Sequence, residues 1–474
     1  MIINYLNNTN KSVVIVGAGP AGLAAAYRLV TMSEGYDITM IDEGYNIYVR
    51  RCPVREGKAC ANCKPCHITH GFGGSGTFSD CKLSLSPFEV GGNISEYVKD
   101  VPKLLSYAAD VERFFEEFDV DASSRVTLGT RDSEYKEIEE TLKNKAGITL
   151  IYNPTKHIGT DGTLKVMKLL YEYLVNKGVK FRFNTKVTGI DVIDHYKCVK
   201  MRNNKESSFI FTENVIFAVG RSGNEELGKM LYNELGIKSI SDRCDIGVRV
   251  EMPAGIIQEL TDKFYDVKLT RSVKVFGFDR PIKVRTFCVN PSGYVSEEHY
   301  NDGTVLANGH SYADKKSDMT NFALLCTLPL SAKDGKDMLN RFLAKSNGKL
   351  VVDTYKNCAD RVRDYMPKNC TLGTATDQTK LYGITGDFTN IVLRAVDGFL
   401  EYLNMIYPGC TAPTTNLYAP EAKFYSNVIP VNENLETEFS GIFVGGDGSG
   451  ITRGIVQSAI SGFVIADAII ERNA

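Results

Sequence analysis

Four cysteines crowd one short segment: Cys52, Cys60, Cys63 and Cys66 fall within fifteen residues, spaced C-x7-C-x2-C-x2-C. Thiolates at this spacing suit several kinds of chemistry. They can hold a [4Fe–4S] cluster, since CxxCxxC binds three irons and a fourth thiolate completes the set. They can bind a structural zinc ion through Cys or His ligands, or a CxxC pair can form a redox disulfide. Reduced thiols that line a loop are the plainest interpretation, and the sequence leaves these alternatives open.

A glycine-rich turn nearer the N-terminus predicts a nucleotide site. Lys11–Val16 is a β-branched apolar run typical of a buried parallel strand, and Gly17-Ala-Gly-Pro-Ala-Gly22 leads from it into an alanine-rich helix. In such a unit Gly17 permits the tight turn, Gly19 lets the backbone approach a pyrophosphate, and Gly22 lets the helix pack on the strand. The pyrophosphate would bind at the helix N-terminus, where unpaired N–H groups and the helix dipole favour an anion.

An acidic residue follows the second apolar strand, which is predicted over Asp37–Ile41. This residue, Asp42, lies twenty positions beyond Gly22, where a carboxylate can accept hydrogen bonds from the hydroxyls of an adenosine ribose. A carboxylate there favours a nucleotide with an unmodified 2′-hydroxyl. The site is therefore predicted to bind FAD or NAD, and not NADP.

The C-terminal region decides between FAD and NAD. A short strand ends at Asp447, a glycine-rich turn runs to Gly454, and a helix is predicted to begin at Ile455. This arrangement resembles the C-terminal flavin motif of the glutathione-reductase-like FAD superfamily. The resemblance implies that Asp447 hydrogen-bonds the ribityl chain of FAD. It also places the backbone of Gly454 and Ile455 at the N1–C2=O edge of the isoalloxazine, where the helix dipole stabilises negative charge on the reduced ring.

Two segments in the middle of the chain support the choice of FAD. The strands predicted over 179–187 and 213–220 resemble the adenine-side strand and the "A-T-G" strand end of the same superfamily. A second match to GxGxxG, at 71–76, follows a Cys/His-rich loop and no strand, so it does not predict an NAD site. Its glycines are expected to wrap the flavin and ribityl-phosphate side instead. NAD(P)H is left open as an electron donor that has no dinucleotide domain of its own.

Several strings give a resemblance to one family. They are Arg51-Cys-Pro, Cys63-Lys-Pro-Cys66, Gly73-Gly-Ser-Gly-Thr-Phe-Ser-Asp80, Lys156-His-Ile-Gly-Thr-Asp161, Thr286-Phe-Cys-Val-Asn-Pro-Ser-Gly-Tyr-Val295, Leu417-Tyr-Ala-Pro-Glu421 and 445–454. The chain resembles, over nearly its whole length, the bacterial "uncharacterised FAD-dependent dehydrogenase" family of the glutathione-reductase-like flavoproteins. The resemblance implies a dehydrogenase but supplies no substrate. One departure stands out, since Cys81 occupies a position where members carry glycine.

The motifs and resemblances together give one set of residues expected to contact FAD. These residues are Gly17, Gly19, Pro20, Ala21, Gly22, Asp42, Glu43, Arg51, Gly73, Gly74, Ser75, Val187, Ala218, Gly220, Gly446, Asp447, Gly454 and Ile455.

The predicted fold class is α/β, with a discontinuous Rossmann-type FAD-binding domain, an inserted β-rich substrate domain and a helical insertion. The FAD-binding domain is expected over 1–100, 155–240 and 395–474, the helical insertion over 100–155 and the substrate-binding domain over 240–395. Three side chains are candidates for catalysis. Arg453 stands beside the flavin motif, and His310 and Tyr312 could line a pocket of the substrate domain.

Composition narrows the class of protein. The 474 residues carry a formal charge of −2, which gives no basic footprint for nucleic acid or an anionic membrane. No apolar run approaches the roughly 18 residues of a spanning helix. The N-terminus lacks the order of a signal peptide, and twelve cysteines then suggest a reducing, cytoplasmic compartment. The expected partner is a small-molecule substrate, and the oligomeric state stays open.

The leading functional hypothesis is hydride transfer between FAD and a small metabolite, with the protein positioning the substrate and tuning the ring. An electron-transfer flavoprotein, in which the cysteine cluster relays electrons as a cluster or disulfide, is the first alternative. Flavin-dependent RNA modification is the second, and the near-neutral charge argues against it.

Overall fold

The structure is a computed structural model. It describes residues 11–53, 61, 63–78, 81–88, 90–92, 94–204, 206–240, 243–264, 266–299, 304–310, 315–375, 380–384 and 386–473.

Strands and helices alternate in the N-terminal part of the chain, and strands dominate its middle. The strands are β1 (Ser12–Val16), β2 (Asp37–Ile41), β3 (Lys82–Ser84), β4 (Thr127–Leu128), β5 (Thr149–Leu150), β6 (Thr155–His157), β7 (Lys180–Arg182), β8 (Lys186–Ile193), β9 (Tyr196–Arg202), β10 (Ser207–Thr212), β11 (Asn214–Phe217), β12 (Arg243–Pro253), β13 (Leu269–Val273), β14 (Ile282–Asn290), β15 (Tyr294–His299), β16 (Val305–His310), β17 (Met319–Ser331), β18 (Val351–Thr354), β19 (Asn416–Phe424) and β20 (Ile442–Val444). The α-helices are α1 (Pro20–Met32), α2 (Val101–Phe118), α3 (Ser133–Ala146), α4 (Thr160–Asn176), α5 (Asn224–Leu235), α6 (Gln258–Lys263), α7 (Ala332–Lys345), α8 (Tyr355–Asp360), α9 (Arg394–Asn404) and α10 (Ile455–Arg472). In the part of the chain that is described, no helix is both long and apolar enough to cross a membrane.

The chain divides into two compact units. The first comprises Met1–Thr127, Lys156–Ser241 and Ser426–Ala474, and the second comprises Leu128–Thr155 and Asp242–Tyr425. The sequence suggested a boundary at 395, but β19 pairs with β12 and β18 of the second unit. The segment 395–425 therefore lies in the second unit.

The first unit is built on a sheet with the strand order β20-β11-β1-β2-β7, in which every pairing is parallel. Successive side chains of a strand point to opposite faces. In β1, Val13 and Ile15 accordingly join one core together with α1 and α10, while Val14 and Val16 join a second core with α5 and the antiparallel sheet β10-β9-β8. Both faces of β1 are covered, which explains why its sequence is apolar throughout.

Helices α1 and α10 pack with their backbones in close approach. A Cβ at Gly462 of α10 would lie 2.1 Å from the carbonyl oxygen of Ala21 in α1, so only glycine fits there. This contact brings the C-terminal helix beside the glycine-rich turn.

Helix α2 belongs to the first unit, although the sequence suggested one helical insertion over 100–155. Asp467 of α10 accepts hydrogen bonds from both Arg28 Nε (2.8 Å) and Nη2 (2.9 Å) and from the hydroxyl of Tyr107 in α2 (2.9 Å). Arg28 also pairs with Asp110 of α2 at 2.8 Å. These contacts hold α2 against α1 and α10, whereas α3 lies in the second unit.

The second unit is built on a sheet with the strand order β18-β19-β12-β17-β14-β13-β5, in which the neighbouring strands are antiparallel. Side chains such as Val248 and Leu324 pack in its main core with α3, α7 and α9. A hairpin of β15 and β16 completes the unit.

Candidate functional site

A cleft of about 970 Å³ opens at the carboxyl edge of the first unit's sheet. Strands β1, β2, β11 and β20 are parallel neighbours, so the segments that follow them meet at this edge. Of the residues expected to contact FAD, the cleft is lined by Gly17, Gly19, Pro20, Ala21, Asp42, Glu43, Gly74, Ser75, Val187, Ala218, Gly220, Gly446, Asp447, Gly454 and Ile455.

The glycine-rich turn after β1 forms the floor of the cleft. Gly17 has φ +107°, and a Cβ on it would lie 2.4 Å from the carbonyl oxygen of Ala218. A Cβ on Gly22 would lie 2.1 Å from the carbonyl oxygen of Gly17. Gly22 does not line the cleft and serves the packing of α1 on β1. At Gly19, by contrast, the Cβ side has no heavy atom nearer than 4.0 Å, so a ligand can approach the backbone there.

The acid after β2 contacts the glycine-rich turn through its side chain. Asp42 lines the cleft, but its carboxylate oxygens accept backbone N–H groups from Ala18 (2.9 Å) and Gly44 (2.7 Å). Burial raises its pKa despite these two hydrogen bonds. The carboxylate therefore braces the glycine-rich turn against the end of β2. The next residue, Glu43, is also an acid and is half-exposed. Its carboxylate pairs with His70 at 3.0 Å.

Arg50, which the sequence interpretation passed over, organises the loop that follows the cysteines. Its buried guanidinium donates to the carbonyl oxygens of His67 (2.9 Å), Ile68 (2.8 Å) and Gly74 (2.9 Å), and to the hydroxyl of Thr77 (3.1 Å). Burial lowers its pKa to about 10. The predicted contact, Arg51, is exposed and does not line the cleft. The two residues are neighbours, and only the folded loop distinguishes their roles.

The loop held by Arg50 carries the second glycine-rich string. Gly73 does not line the cleft, because its N–H donates to the carbonyl oxygen of Ala18 (2.7 Å) and packs the loop against the first turn. Gly74 has φ +64°, and a Cβ on it would approach the Cα of Gly19 to 3.2 Å. Two glycine-rich segments thus meet at Gly19 and Gly74, and the lack of a side chain at these two positions permits the close approach.

Asp447 follows β20 and is a partly buried acid, with a side chain that is 23% exposed. Its Oδ2 lies 3.3 Å from Arg221 Nη2, whereas its Oδ1 is buried and has no hydrogen-bond partner among the described residues. Burial raises its pKa against the opposing charges of Arg221 and Arg453. A buried acceptor without a donor costs free energy unless a ligand supplies the donor. The hydroxyls of a ribityl chain are donors of the required kind.

The N-terminus of α10 lines the other end of the cleft. Gly454 is its N-cap and provides no side-chain oxygen to the first-turn amides, and Ile455 begins the helix as the sequence predicted. First-turn N–H groups and the helix dipole favour a negatively charged group. Together with Asp447 and the glycine-rich turn, this end fits the flavin portion of FAD.

The candidate catalytic residues lie in different units. Arg453 lines the cleft of the first unit. His310 is on β16 of the second unit, where burial and the nearby charge of Arg249 lower its pKa. Tyr312 lies outside the described residues.

The cysteine cluster is only partly described. Cys52 and Cys63 are half-buried and Cys66 is exposed, and none of the three is in a disulfide. Cys60 lies outside the described residues. Within the described ranges, no group of three or more His, Cys, Asp or Glu side chains could hold a metal ion. An iron–sulfur or zinc site therefore stays a prediction.

Sequence reasoning also missed several residues that line the cleft. Lys82 begins β3, Arg221 and Ser222 follow β11, and His70 lies in the Cys/His-rich loop. One available signal was the Arg-Ser-Gly string directly after the predicted strand at 213–220, because residues that follow a parallel strand reach the ligand edge.

Comparisons with known proteins agree with this site. The model of the family "Pyridine nucleotide-disulphide oxidoreductase" matches residues 11–140, and that of "FAD-dependent protein, C-terminal domain-like" matches residues 243–423. An uncharacterized protein of Clostridium beijerinckii is 25% identical over 490 residues, which cover 97% of this chain and 80% of the relative.

Solved structures of flavoproteins resemble the chain weakly. For CabE, an aromatic hydroxylase from angucycline biosynthesis, the TM-score is 0.35 and the identity 12%, over 98% of this chain and 63% of that one. The chain thus spans less than two thirds of the length of CabE. For a flavoprotein/dehydrogenase from Cytophaga hutchinsonii, the TM-score is 0.37 and the identity 11%, over 98% of this chain and 78% of that one. With TM-scores below 0.5, neither likeness carries an argument about the reaction.

The matches and the cleft together identify the chain as an FAD-dependent oxidoreductase. It has a Rossmann-type FAD-binding domain, as the sequence predicted, and an additional domain that matches the C-terminal domain of FAD-dependent proteins. The family descriptions do not distinguish a dehydrogenase from a hydroxylase.

Proposed function

We propose that this enzyme is an FAD-dependent dehydrogenase or reductase, which transfers hydride between the flavin and a small-molecule substrate. The observation that carries the proposal is the pairing, in one cleft, of a buried unsatisfied carboxylate oxygen on Asp447 with the N-terminus of α10. When bound there, FAD would supply the acceptor and donor of hydride, while the protein supplies position and electrostatics.

The residues of the cleft would hold FAD from end to end. The open backbone at Gly19 and the N-terminus of α1 would bind the pyrophosphate, and the acids after β2, Asp42 and Glu43, would meet the adenosine ribose. Asp447 Oδ1 would accept a hydrogen bond from the ribityl chain. The first-turn amides after Gly454 would face the ring edge at which negative charge develops on hydride uptake, and that charge is stabilised by the helix dipole.

The substrate is proposed to meet the flavin near Arg453, which directly precedes Gly454 at the N-terminus of α10 and lines the cleft. Lys82 lines the same cleft. Cationic side chains in the cleft favour a substrate with an anionic group, since a guanidinium binds a carboxylate in bidentate fashion. For the second unit we propose a substrate-binding role, and the catalytic roles of His310 and Tyr312 stay predictions.

The test begins with the purified protein. Its absorbance spectrum, and the flavin released on denaturation, should show about one FAD per chain, and colourless protein that cannot be reconstituted with FAD would contradict the proposal. Candidate substrates are then mixed with the protein under anaerobic conditions. A dehydrogenase bleaches its flavin absorbance without oxygen. A hydroxylase instead needs oxygen, and the label of ¹⁸O₂ then appears in its product.

An electron relay through the cysteines is a second candidate, and one observation favours it. Cys66 is exposed, and partial desolvation of its thiol opposes ionisation. Hydrogen bonds from the backbone N–H groups of Ile68 and Thr69 and from the Thr69 hydroxyl, together with the charge of His70, nevertheless lower its pKa. A thiolate is the reactive form in disulfide exchange. Iron and zinc analysis of anaerobically purified protein, with a thiol count before and after reduction, separates the forms of this relay. About four irons per chain indicates a cluster, and two extra thiols after reduction indicate a disulfide.

A further inference from the structure

Three segments of the first unit meet at one imidazole beside the cleft. His70 Nε2 lies 3.0 Å from a carboxylate oxygen of Glu43 and 3.1 Å from the hydroxyl of Ser222. His70 Nδ1 lies 2.7 Å from the hydroxyl of Thr69. All four residues line the cleft. We call Glu43, His70 and Ser222 the adenosine latch.

The latch crosses the edge of the sheet at which a dinucleotide binds. Glu43 follows β2 and Ser222 follows β11, and these strands flank β1 on its two sides. The carboxyl ends of these two strands and of β1 lie side by side, because Val16 of β1 is in register with both Ile41 of β2 and Phe217 of β11. Adjacent strands are about 4.8 Å apart, so the latch bridges roughly 10 Å across the end of β1. The turn that begins at Gly17 lies at this end of β1.

The position of Glu43 indicates which part of a bound FAD the latch would face. Glu43 stands directly after the residue position at which an acid meets the adenosine ribose. Asp42 itself is engaged by two backbone N–H groups. The bridge therefore lies over the adenosine half of the cofactor's path, and not over the flavin end at Asp447 and Gly454.

The loop that carries His70 is built to hold it in place. The N–H of His70 donates to the carbonyl oxygen of Cys66 at 3.0 Å. Arg50 fixes the carbonyl groups on both sides of this turn, at Ile68 and Gly74. The imidazole is thus presented by a braced loop, while its two latch partners come from the ends of separate strands.

We infer that His70 is a positioning residue for FAD, which closes over the adenosine half of the bound cofactor, and that opening of the latch limits the release of FAD. This inference rests on the proposed binding of FAD in the cleft and extends it to the retention of the cofactor. His70 and Ser222 thus retain FAD by a side-chain bridge, which the glycine-rich segments at 17–22 and 71–76 cannot form.

The test compares cofactor release from wild type, His70→Ala, His70→Gln and Ser222→Ala, with His195→Ala as the control at an exposed surface histidine. FAD release is followed after dilution by passing samples over a short gel-filtration column at successive times and measuring the flavin that remains with the protein. Loss of a charge-assisted contact should speed FAD release about tenfold to hundredfold in His70→Ala, and loss of a neutral hydroxyl about twofold to tenfold in Ser222→Ala. Gln offers an N–H donor at similar reach, so His70→Gln should fall between wild type and His70→Ala.

A second measurement distinguishes the latch from general damage to the cleft. FMN lacks the adenosine half, so its affinity for the apoprotein should be the same in wild type and the latch variants. Equal FAD release from wild type and from both His70→Ala and Ser222→Ala would overturn the inference, as would equal weakening of FAD and FMN. Ser222→Ala removes only a hydroxyl, and it keeps the test valid if His70→Ala does not fold. Failure of the wild-type protein to bind FAD would instead contradict the proposed function.

Discussion

Asp447 offers a test in which stability and cofactor binding change in opposite directions. This acid is partly buried, and in the described part of the chain its buried Oδ1 has no hydrogen-bond partner. Its contact with Arg221 involves a side chain that is 57% exposed. The substitution Asp447→Asn removes the charge and keeps the shape, and Asp447→Ala removes the acceptor altogether.

The magnitudes follow from this geometry. An ion pair with an exposed partner is worth at most about 1 kcal/mol, whereas an unsatisfied buried polar group costs about 1–3 kcal/mol, and more when it is charged. Asp447→Asn should therefore stabilise the apoprotein by about 1 kcal/mol. A hydrogen bond to a charged acceptor is worth about 1.5–3 kcal/mol, so Asp447→Ala should weaken FAD binding by about tenfold to hundredfold. Asn keeps a neutral acceptor and should weaken binding by about fivefold to tenfold.

Two measurements check this prediction. Thermal unfolding of the apoprotein reports stability, and quenching of flavin fluorescence on titration with apoprotein reports FAD affinity. Asp194→Asn is the matched control, because it makes the same chemical change at an exposed turn of the same unit. An Asp447→Asn apoprotein that is clearly less stable than wild type, together with unchanged FAD affinity, would refute the role assigned to this carboxylate.

Three further predictions concern the loop around the cleft. Arg50→Lys should destabilise the apoprotein by about 2–4 kcal/mol in thermal unfolding, because an ammonium cannot satisfy the carbonyl groups that the guanidinium fork holds; wild-type stability would contradict this. The hydrogen bond to Glu43 is the main cause that raises the pKa of His70. The stabilisation that the His70–Glu43 pair gives to the folded protein is therefore complete below the unfolded pKa of about 6.5. It is lost as pH rises through the pKa of His70 in the folded protein. The melting temperature of wild type should accordingly exceed that of His70→Ala by less at pH 9 than at pH 6. A difference that stays constant over this range would show that the His70–Glu43 pair is not the source of the extra stability. Iodoacetamide at neutral pH should alkylate Cys66 first and leave Cys326 unmodified. Burial raises the pKa of the Cys326 thiol and shields the thiol from the reagent. Peptide mapping of the alkylated protein checks this order.

The parallel sheet and its ligand edge were predictable from the sequence because they depend on local patterns. The apolar run at 11–16, the spacing of the three glycines and the helix over Ile455–Arg472 each follow from the geometry of a few neighbouring residues. The strand predicted over 179–187 was less accurate. It is two strands, β7 and β8, which belong to different sheets, and the turn at Asn184 that separates them has φ +51°.

The domain boundaries depended on contacts that are distant in sequence. Nothing local in residues 101–118 indicates that α2 packs on α1 and α10, since its anchors, Arg28 and Asp467, lie about 80 residues before it and 350 after it in the chain. Strand β19 likewise joins the second unit through pairing with β12, which precedes it by more than 150 residues.

The sequence by itself determined where the chain approaches the cofactor, because glycine spacing and strand periodicity act within a few residues. Tertiary structure alone decided that Arg50, and not its neighbour Arg51, holds the carbonyl groups of the loop. It also decided that Asp42 accepts backbone N–H groups of the turn, whereas Glu43 pairs with His70. Consecutive side chains point in different directions, and the partners that select between them come from elsewhere in the fold.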